Sequence, residues 1–260
     1  MQKKYIVYTA IFNGYDTLKD PYVVSNEIDY VCYTDSKDLK SNIWNIVYID
    51  TAGNPVLKNR ELKLLYPHLK FTNYEYSLYV DGSIMIKENL LMFFKKYIEK
   101  APIMNFKHPN NDCIFTEIIR CIQQRRGNPE KLVEQYVHYQ QSGMPKKWGL
   151  SDNKIILREN NSPITKLLME EWYWHVVNYS GRDQVCLSYV YFDNNYNYNF
   201  FEEDIEKNIY FETWPHTNSG KIIWIWRKFK WFCERKKIFG FVIRLLETYV
   251  KPKFFRHKNG

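Results

Sequence analysis

The stretch YSLYVDGSIMI, residues 76–86, places one carboxylate, Asp81, between two runs of strand-forming residues. Asp-Gly between apolar runs is a common signature of a tight hairpin turn. A polar group directly after a buried strand is also where α/β sheets bind their ligands. The segments on either side of this stretch decide between a plain hairpin and a binding site.

Strand-like and helix-like segments alternate along the chain. The predicted strands are 4–12, 29–35, 43–50, 76–86, 101–106 and 154–159, and the predicted helices are 56–69 (interrupted at Pro67), 87–99, 112–124, 128–141 and 162–178. This alternation predicts an α/β fold with a mixed, mostly parallel sheet. Since the carboxyl ends of parallel strands share one edge, Thr9, Ala10, Asp35 and Asp81 are expected there, which favours a site at Asp81.

The net charge of +8 is unevenly distributed. From Lys221 onward, 12 basic residues accompany two glutamates, whereas residues 1–220 carry 25 basic and 27 acidic residues. A nearly neutral main domain argues against a nucleic-acid groove, which needs clustered basic groups. We therefore expect a main domain over 1–220 and a separate basic segment over 221–260.

The cysteines and the apolar segments indicate the compartment. Five cysteines, an odd number, are widely spread without a C-x-x-C pair, which is typical of reduced thiols and gives no zinc signature. The N-terminal residues lack the pattern of a signal peptide, and no stretch reaches 18 uninterrupted apolar residues. These features predict a cytoplasmic protein.

The C-terminal segment combines aromatic and basic residues at helical intervals. One stripe is apolar and the cations lie away from it: Ile222, Trp226, Phe229 and Cys233 against Arg227, Lys228 and Arg235. Such a helix is typical of a membrane interface with anionic lipids, so the protein is expected at the inner face of the membrane. A helix packed on the main domain and a nucleic-acid-binding tail are the alternatives.

A series of motifs occurs in a defined order: YTAIF with GYD, YVCYTD, R-x-x-K followed by PH, YxDGS, GLSDNKIILRE, RDQ, and a late His with Gly-Lys. Over about residues 4–221 this series resembles the glycosyltransferase-like domain of bacterial surface-polysaccharide enzymes (capsule or lipopolysaccharide) and plant mucilage-type hexosyltransferases. These are distant relatives of the glycogenin and lipopolysaccharide-galactosyltransferase group. The resemblance implies a GT-A-like (Rossmann-like) domain that transfers a hexose from a nucleotide-sugar, expected to be UDP-linked, to a surface-polysaccharide or lipid-linked glycan.

The resemblance also implies a divalent metal, Mn²⁺ or Mg²⁺, that neutralises the donor diphosphate. Asp81 matches the first carboxylate of an Asp-x-Asp motif, while Ser83 stands at the second position and would bind weakly, through water or at the ribose. His216 is the second implied metal ligand, and Lys221 would neutralise the β-phosphate. The sequence around His216, PHTNSGK, is also typical of an exposed turn.

Arg60 and Lys63 lie one turn apart on a predicted helix and therefore share a face. In the resembling family this pair points at the donor, where it would stabilise the leaving phosphate. A solvated helix face is the ordinary alternative.

Asp183 and Gln184 match the Asp-Gln motif beside the reacting sugar carbon, although an Asp is also favoured in the first turn of a helix. Thr9, Ala10 and Asp35 would contact the nucleoside. No carboxylate stands out as a general base, which fits a retaining mechanism. The missing second Asp leaves a different class open, a membrane-docked adaptor that keeps a degenerate transferase fold.

Overall fold

The computed structural model describes residues 4–51 and 53–216. Its strands are β1 (Tyr5–Ile11), β2 (Ile28–Thr34), β3 (Asn45–Tyr48), β4 (Tyr76–Val80), β5 (Ile84–Ile86), β6 (Ile103–Lys107), β7 (Ser151–Glu159) and β8 (Phe211–Thr213). Its helices are α1 (Pro55–Lys70), α2 (Leu90–Tyr97), α3 (Ile114–Gln123), α4 (Pro129–Gln141), α5 (Pro163–Asn178) and α6 (Leu187–Asp193). A 3₁₀ turn, Asp183–Val185, precedes α6. The predicted α/β class is confirmed.

Six strands form one sheet in the order β3-β2-β1-β4-β7-β6. The pairs β3–β2, β2–β1 and β1–β4 are parallel, and β7 runs antiparallel to both of its neighbours. The sheet is therefore mixed and mostly parallel, as predicted. Every residue of β1 is buried, as expected of a strand covered on both faces.

Side chains of β1 alternate between two apolar clusters on opposite faces of the sheet. One cluster contains Ile6 and Tyr8 with residues of α1, α3, α5 and α6. The other contains Tyr5 and Val7 with residues of α2. Helices thus cover both faces, and the carboxyl edge of the parallel strands is the position at which loops gather.

The Asp-Gly turn of residues 81–83 does not close a hairpin between paired strands. β4 pairs with β1 and β7, whereas β5 pairs with β8 in a separate two-stranded sheet. The Ile84 amide donates to the Asp81 carbonyl over 2.9 Å, so a tight turn carries the chain between the sheets. A Cβ at Gly82 would lie 2.9 Å from both Ile11 and Asp16, so only glycine fits this close approach.

Helix α1 differs from its prediction. Asn54 caps the helix by accepting from the amides of Val56 and Leu57, and Pro55 is the first helical residue. The predicted interruption at Pro67 is wrong, because the helix continues through this proline to Lys70. β3 is shorter than predicted, and β7 begins earlier, at Ser151.

The chain divides into a unit Met1–Thr213 and a second unit, Trp214–Gly260. Only residues 214–216 of the second unit are described, so the predicted segment 221–260 lies outside the described residues. Four free, buried cysteines are described: Cys32, Cys113, Cys121 and Cys186. Within residues 4–51 and 53–216, no helix is long and apolar enough to cross a membrane.

Candidate active site

Four of the predicted site residues meet at the carboxyl edge of β4. Lys63 Nζ lies 2.7 Å from Asp183 Oδ2 and 3.7 Å from Asp81 Oδ1. Arg60 Nη2 lies 3.3 Å from Asp183 Oδ1. We call Arg60, Lys63, Asp81 and Asp183 the charged edge.

Helix α1 supplies both cations of the charged edge. Arg60 and Lys63 lie one turn apart, and their side chains are 17% and 2% exposed, so they are not on a solvated face. Asn59 attaches this turn to the sheet, because its Nδ2 donates to the Ala10 carbonyl over 2.9 Å and its Oδ1 accepts from Arg60 Nη1 over 2.8 Å. Ala10 therefore supports the cations through its main chain.

Asp183 is held as a fixed anion. Its Oδ1 also accepts the Gln184 amide over 3.1 Å, and its carbonyl accepts Trp172 Nε1 over 3.0 Å. Burial opposes ionisation, but Arg60, Lys63 and Arg182 outweigh it and hold the pKa of this carboxyl well below its usual range. At neutral pH Asp183 therefore acts through its charge and not as a proton acceptor.

The ring of Tyr79 forms one wall of the charged edge. Lys63 Nζ lies 4.8 Å from the ring centroid, which is a cation–π distance. Burial and the nearby Asp81 raise the pKa of the Tyr79 hydroxyl well above its usual range. The hydroxyl therefore stays neutral at physiological pH.

The start of β7 forms another wall, which sequence reasoning did not assign. Gln184 Nε2 donates to the Ser151 carbonyl, and Ser151 Oγ donates to Asn153 Oδ1 over 2.6 Å. The Lys154 carbonyl accepts the Asp81 amide over 2.8 Å, so this segment lies beside the turn at Asp81. The signal in the sequence that points to these residues is a polar triplet, Ser-Asp-Asn, shortly before the apolar run Ile-Ile-Leu.

Several buried polar atoms in these elements have no hydrogen-bond partner among the described residues: Thr9 Oγ1, Arg60 Nε, Ser83 Oγ, Asn153 Nδ2 and Arg182 Nε. An unpaired buried donor or acceptor is costly, and most such groups in proteins are paired. Arg60 Nε belongs to the charged edge itself, so a polar ligand bound there would pair it.

Lys19 supports the turn that carries Asp81. Its Nζ donates to the Gly82 carbonyl over 2.7 Å and to the Thr17 carbonyl over 3.0 Å. Burial lowers the pKa of Lys19 to about 8, while Asp16 acts in the opposite direction. The sequence did not point to Lys19, because a lysine in a polar loop is ordinarily exposed to solvent.

Within the unit Met1–Thr213, the predicted residues Asp35 and Thr9 are not among the contacts of the charged edge. Asp35 accepts the Asn13 amide over 3.0 Å at each carboxylate oxygen and lies near Thr51 Oγ1. Thr9 lies within β1, with its hydroxyl buried. His216 belongs to the second unit, and Lys221 lies outside the described residues.

The residues around Asp81 fit a divalent metal poorly on their own. Within the described ranges, no three His, Cys, Asp or Glu side chains come together in a metal-binding group. The single carboxylate of the turn already lies near the Lys63 ammonium, and Ser83 replaces the second. We therefore derive no step through a metal.

Comparisons with known proteins identify the family of the chain. The chain resembles the structure of apo mouse xyloside xylosyltransferase 1 with a TM-score of 0.43 and 11% identity, over 76% of this chain and 84% of that one. A comparison with curated protein sequences gives no match. The model of the TOD1/MUCI70 glycosyltransferase-like domain matches residues 33–216, most of the chain. The predicted resemblance to a glycosyltransferase-like domain is thereby confirmed, and the chain belongs to the TOD1/MUCI70 glycosyltransferase-like domain family of enzymes.

Proposed function

We propose that this glycosyltransferase moves a hexose from a UDP-linked donor to a surface-polysaccharide or lipid-linked glycan, with retention at the reacting carbon. The observation that carries the proposal is the charged edge, where a buried lysine, a largely buried arginine and two carboxylates meet, and where Arg60 Nε has no partner among the described residues. It lies at the carboxyl ends of parallel strands, where α/β sheets bind nucleotides.

Arg60 is the group assigned to the leaving diphosphate. Its guanidinium carries five N–H donors, of which Nη1 and Nη2 contact Asn59 and Asp183, while Nε is buried without a partner among the described residues. When the bond between the sugar carbon and the phosphate oxygen breaks, negative charge grows on the phosphate. A preorganised guanidinium stabilises that charge without reorganisation of water.

Asp183 and Gln184 are assigned to the sugar. Positive charge develops on the sugar ring as the leaving group departs, and a carboxylate held ionised by Arg60 and Lys63 stabilises it. We assign to the sugar hydroxyls Gln184, whose Nε2 donates to the Ser151 carbonyl, and the amide of Asn153, which has no partner among the described residues.

The ionised state of Asp183 supports a mechanism that retains the configuration at the sugar carbon. A general base needs a pKa near the working pH, whereas the pKa of Asp183 is held well below its usual range. In the proposed step the acceptor oxygen bonds to the sugar carbon on the side that the phosphate leaves. The acceptor proton then passes to the departing phosphate oxygen.

The metal, the nucleoside contacts and the location remain proposals from the sequence. Asp81 and His216 are the proposed ligands of Mn²⁺ or Mg²⁺, Lys221 the proposed phosphate ligand, and Thr9 and Asp35 the proposed nucleoside contacts. We propose that the segment 221–260 docks the protein on the inner face of the membrane. Changing Arg227, Lys228 and Arg235 to glutamine should reduce co-sedimentation with anionic liposomes, and unchanged sedimentation would contradict this docking.

Replacement of Asp81 tests the proposed function. Asp81→Ala should abolish nucleotide release from a UDP-sugar while the melting temperature stays close to that of the wild type, because this side chain is one-quarter exposed. Asp38→Ala, in an exposed loop, is the matched control and should retain activity. Near-wild-type turnover in Asp81→Ala would refute the assignment.

A non-catalytic adaptor is the second candidate, favoured by Ser83 at the position of a second carboxylate. Calorimetric titration with UDP, with and without Mn²⁺, separates the candidates. Binding in either condition supports the transferase, and a requirement for Mn²⁺ supports the metal ligands. Absence of binding in both conditions favours the adaptor.

A further inference from the structure

Proline 67 changes the hydrogen bonding of helix α1 at Lys63. In an α-helix the amide of residue i donates to the carbonyl of residue i−4. Pro67 has no N–H, so the carbonyl of Lys63 loses its donor from the helix. The helix nevertheless continues to Lys70, so this carbonyl requires a donor from elsewhere.

Two buried side chains supply that donor. Tyr8 of β1 donates its hydroxyl to the Lys63 carbonyl over 2.8 Å, and Arg158 of β7 donates Nη1 over 2.6 Å. Arg158 Nη2 also donates to the Tyr8 hydroxyl. Tyr8 and Arg158 are 0% exposed. Lys63 is therefore attached to two strands of the sheet through its main chain.

The side chain of the same residue enters the charged edge. Lys63 Nζ contacts Asp183 at 2.7 Å and Asp81 at 3.7 Å. A shift of the Lys63 backbone therefore moves the ammonium relative to both carboxylates. Arg60, one turn earlier on the same helix, moves with it.

Arg158 is an unusual group for a structural role alone. Its hydrogen-bond partners in the described part of the chain are the carbonyl, the tyrosine hydroxyl and Met169 Sδ at 3.5 Å, none of which is an anion. Its guanidinium carbon also lies 5.7 Å from the centroid of the Tyr8 ring. Burial lowers the pKa of Arg158, with Tyr8 acting in the opposite direction. A buried cation without an anion is costly, and a methionine of similar length would fill the space without that cost.

We propose that Arg158 and Tyr8 are positioning residues for glycosyl transfer, which hold the carbonyl released by Pro67 and so set Lys63 and Arg60 against Asp183. This inference rests on the proposed function of the charged edge. It also explains why a proline is tolerated inside α1, since the two side chains replace the missing helical donor.

Kinetics of folded variants test the proposal. Arg158→Met and Tyr8→Phe should each lower kcat about tenfold to a hundredfold, because small misplacements of catalytic groups are that costly. The KM for the donor should stay within about threefold, since neither side chain contacts the donor in this scheme. Arg158→Met should melt at or above the wild-type temperature. A wild-type kcat in both folded variants overturns the proposal.

Two further variants separate positioning from general structural damage. Tyr30→Phe, in a buried tyrosine of β2 that packs on Trp44, is the matched control and should leave kcat unchanged. Pro67→Ala restores the amide of the helix, so in the Arg158→Met background it should return at least part of kcat. Absence of any recovery in that double variant would contradict the role of the carbonyl.

A measurement without substrate keeps this inference separate from the proposed function. In protein labelled with ¹⁵N at lysine side chains, the Nζ signal of Lys63, assigned by its loss in Lys63→Met, should shift in Arg158→Met and Tyr8→Phe and not in Tyr30→Phe. A shift in a protein without transferase activity would refute the proposed function and retain the link to Lys63. An unchanged signal would refute the link.

Discussion

The charged edge and the aromatic cluster between α4, α5 and α6 are both largely buried and both contain polar groups. The charged edge holds ionised side chains, whereas the titratable His175 of the aromatic cluster is neutral. The aromatic cluster consists of Gln135, His138, Tyr139, His175, Tyr179 and Tyr189. Its Tyr139 and Tyr189 rings stack at 4.0 Å, and Tyr139 OH lies 2.7 Å from Gln135 Nε2 and 3.2 Å from His175 Nδ1. Gln135 Oε1 in turn accepts from Ser180 Oγ over 2.9 Å.

In the aromatic cluster, burial and the nearby His138 lower the pKa of His175 to about 4, so the imidazole is neutral at physiological pH. In the charged edge, Asp183 is held ionised, and Arg60 Nε is buried without a partner among the described residues. Paired, neutral groups stabilise a core, whereas fixed charges beside unpaired atoms are suited to a ligand. This contrast supports a structural role for the aromatic cluster and the proposed chemistry at the charged edge.

The largest expected effect is on activity, from a change in the charged edge. Asp183→Asn keeps the shape of the side chain but removes the anion between Arg60 and Lys63, so turnover should fall by about a hundredfold or more. Asp193→Asn makes the same substitution at the end of α6, beside Tyr189, and should retain activity within about twofold. Nucleotide release per folded molecule measures both, and equal losses would break the comparison.

The next effect is on stability, from the aromatic cluster. Tyr139→Ala removes a fully buried ring together with its hydrogen bonds and should lower the free energy of unfolding by about 3–5 kcal/mol. Chemical denaturation measures the loss. Turnover of the remaining folded protein should be unchanged; a fall in kcat beyond the folded fraction would place the aromatic cluster in the chemistry.

As the pH is lowered, the aromatic cluster and the charged edge should lose their contributions to stability in different pH ranges. The native pKa of His175 is about 4, below its unfolded value, so its contribution is full above about pH 6.5 and is lost as pH falls towards 4. The native pKa of Asp183 is also lowered, so its contribution persists above about pH 4 and is lost only below it. His175→Phe should flatten the stability profile between pH 6.5 and 4 relative to wild type. An unchanged slope in that window would contradict the neutral state of His175.

The smallest effect belongs to neither region. Lys131 Nζ and Glu134 Oε2 form an exposed ion pair at 2.7 Å on α4. Lys131→Met should change the free energy of unfolding by less than about 1 kcal/mol, since such pairs are weak and screened. A larger change by chemical denaturation would show that surface charges, and not the two buried regions, dominate the response to substitution.

The sequence predicted the fold because its strands and helices have strong local patterns. It also selected Arg60, Lys63, Asp81 and Asp183 individually, but not their contacts, since Lys63 and Asp183 are 120 positions apart and meet only through tertiary packing. Asp-Gly suggested a hairpin because local turn chemistry does not reveal which sheet the next strand joins.

Pro67 and Arg158 illustrate a second limit. A proline in a helical pattern predicts an interruption, yet two distant side chains supply the donor that the helix lacks. The local signals are an arginine that follows Ile-Ile-Leu in the strand KIILRE and, far away in the sequence, a proline four residues after Lys63. The sequence alone does not show that Arg158 contacts the carbonyl that Pro67 leaves without a helical donor.

Nucleotide release from a panel of UDP-, GDP- and CMP-sugars tests the central claim, that the charged edge is the site of a sugar transferase. We predict release from one donor class, with UDP-sugars foremost, by the wild-type protein and its absence in Asp183→Asn. Release from none of the donors in the presence of glycan acceptors, or equal release by both proteins, would contradict the account.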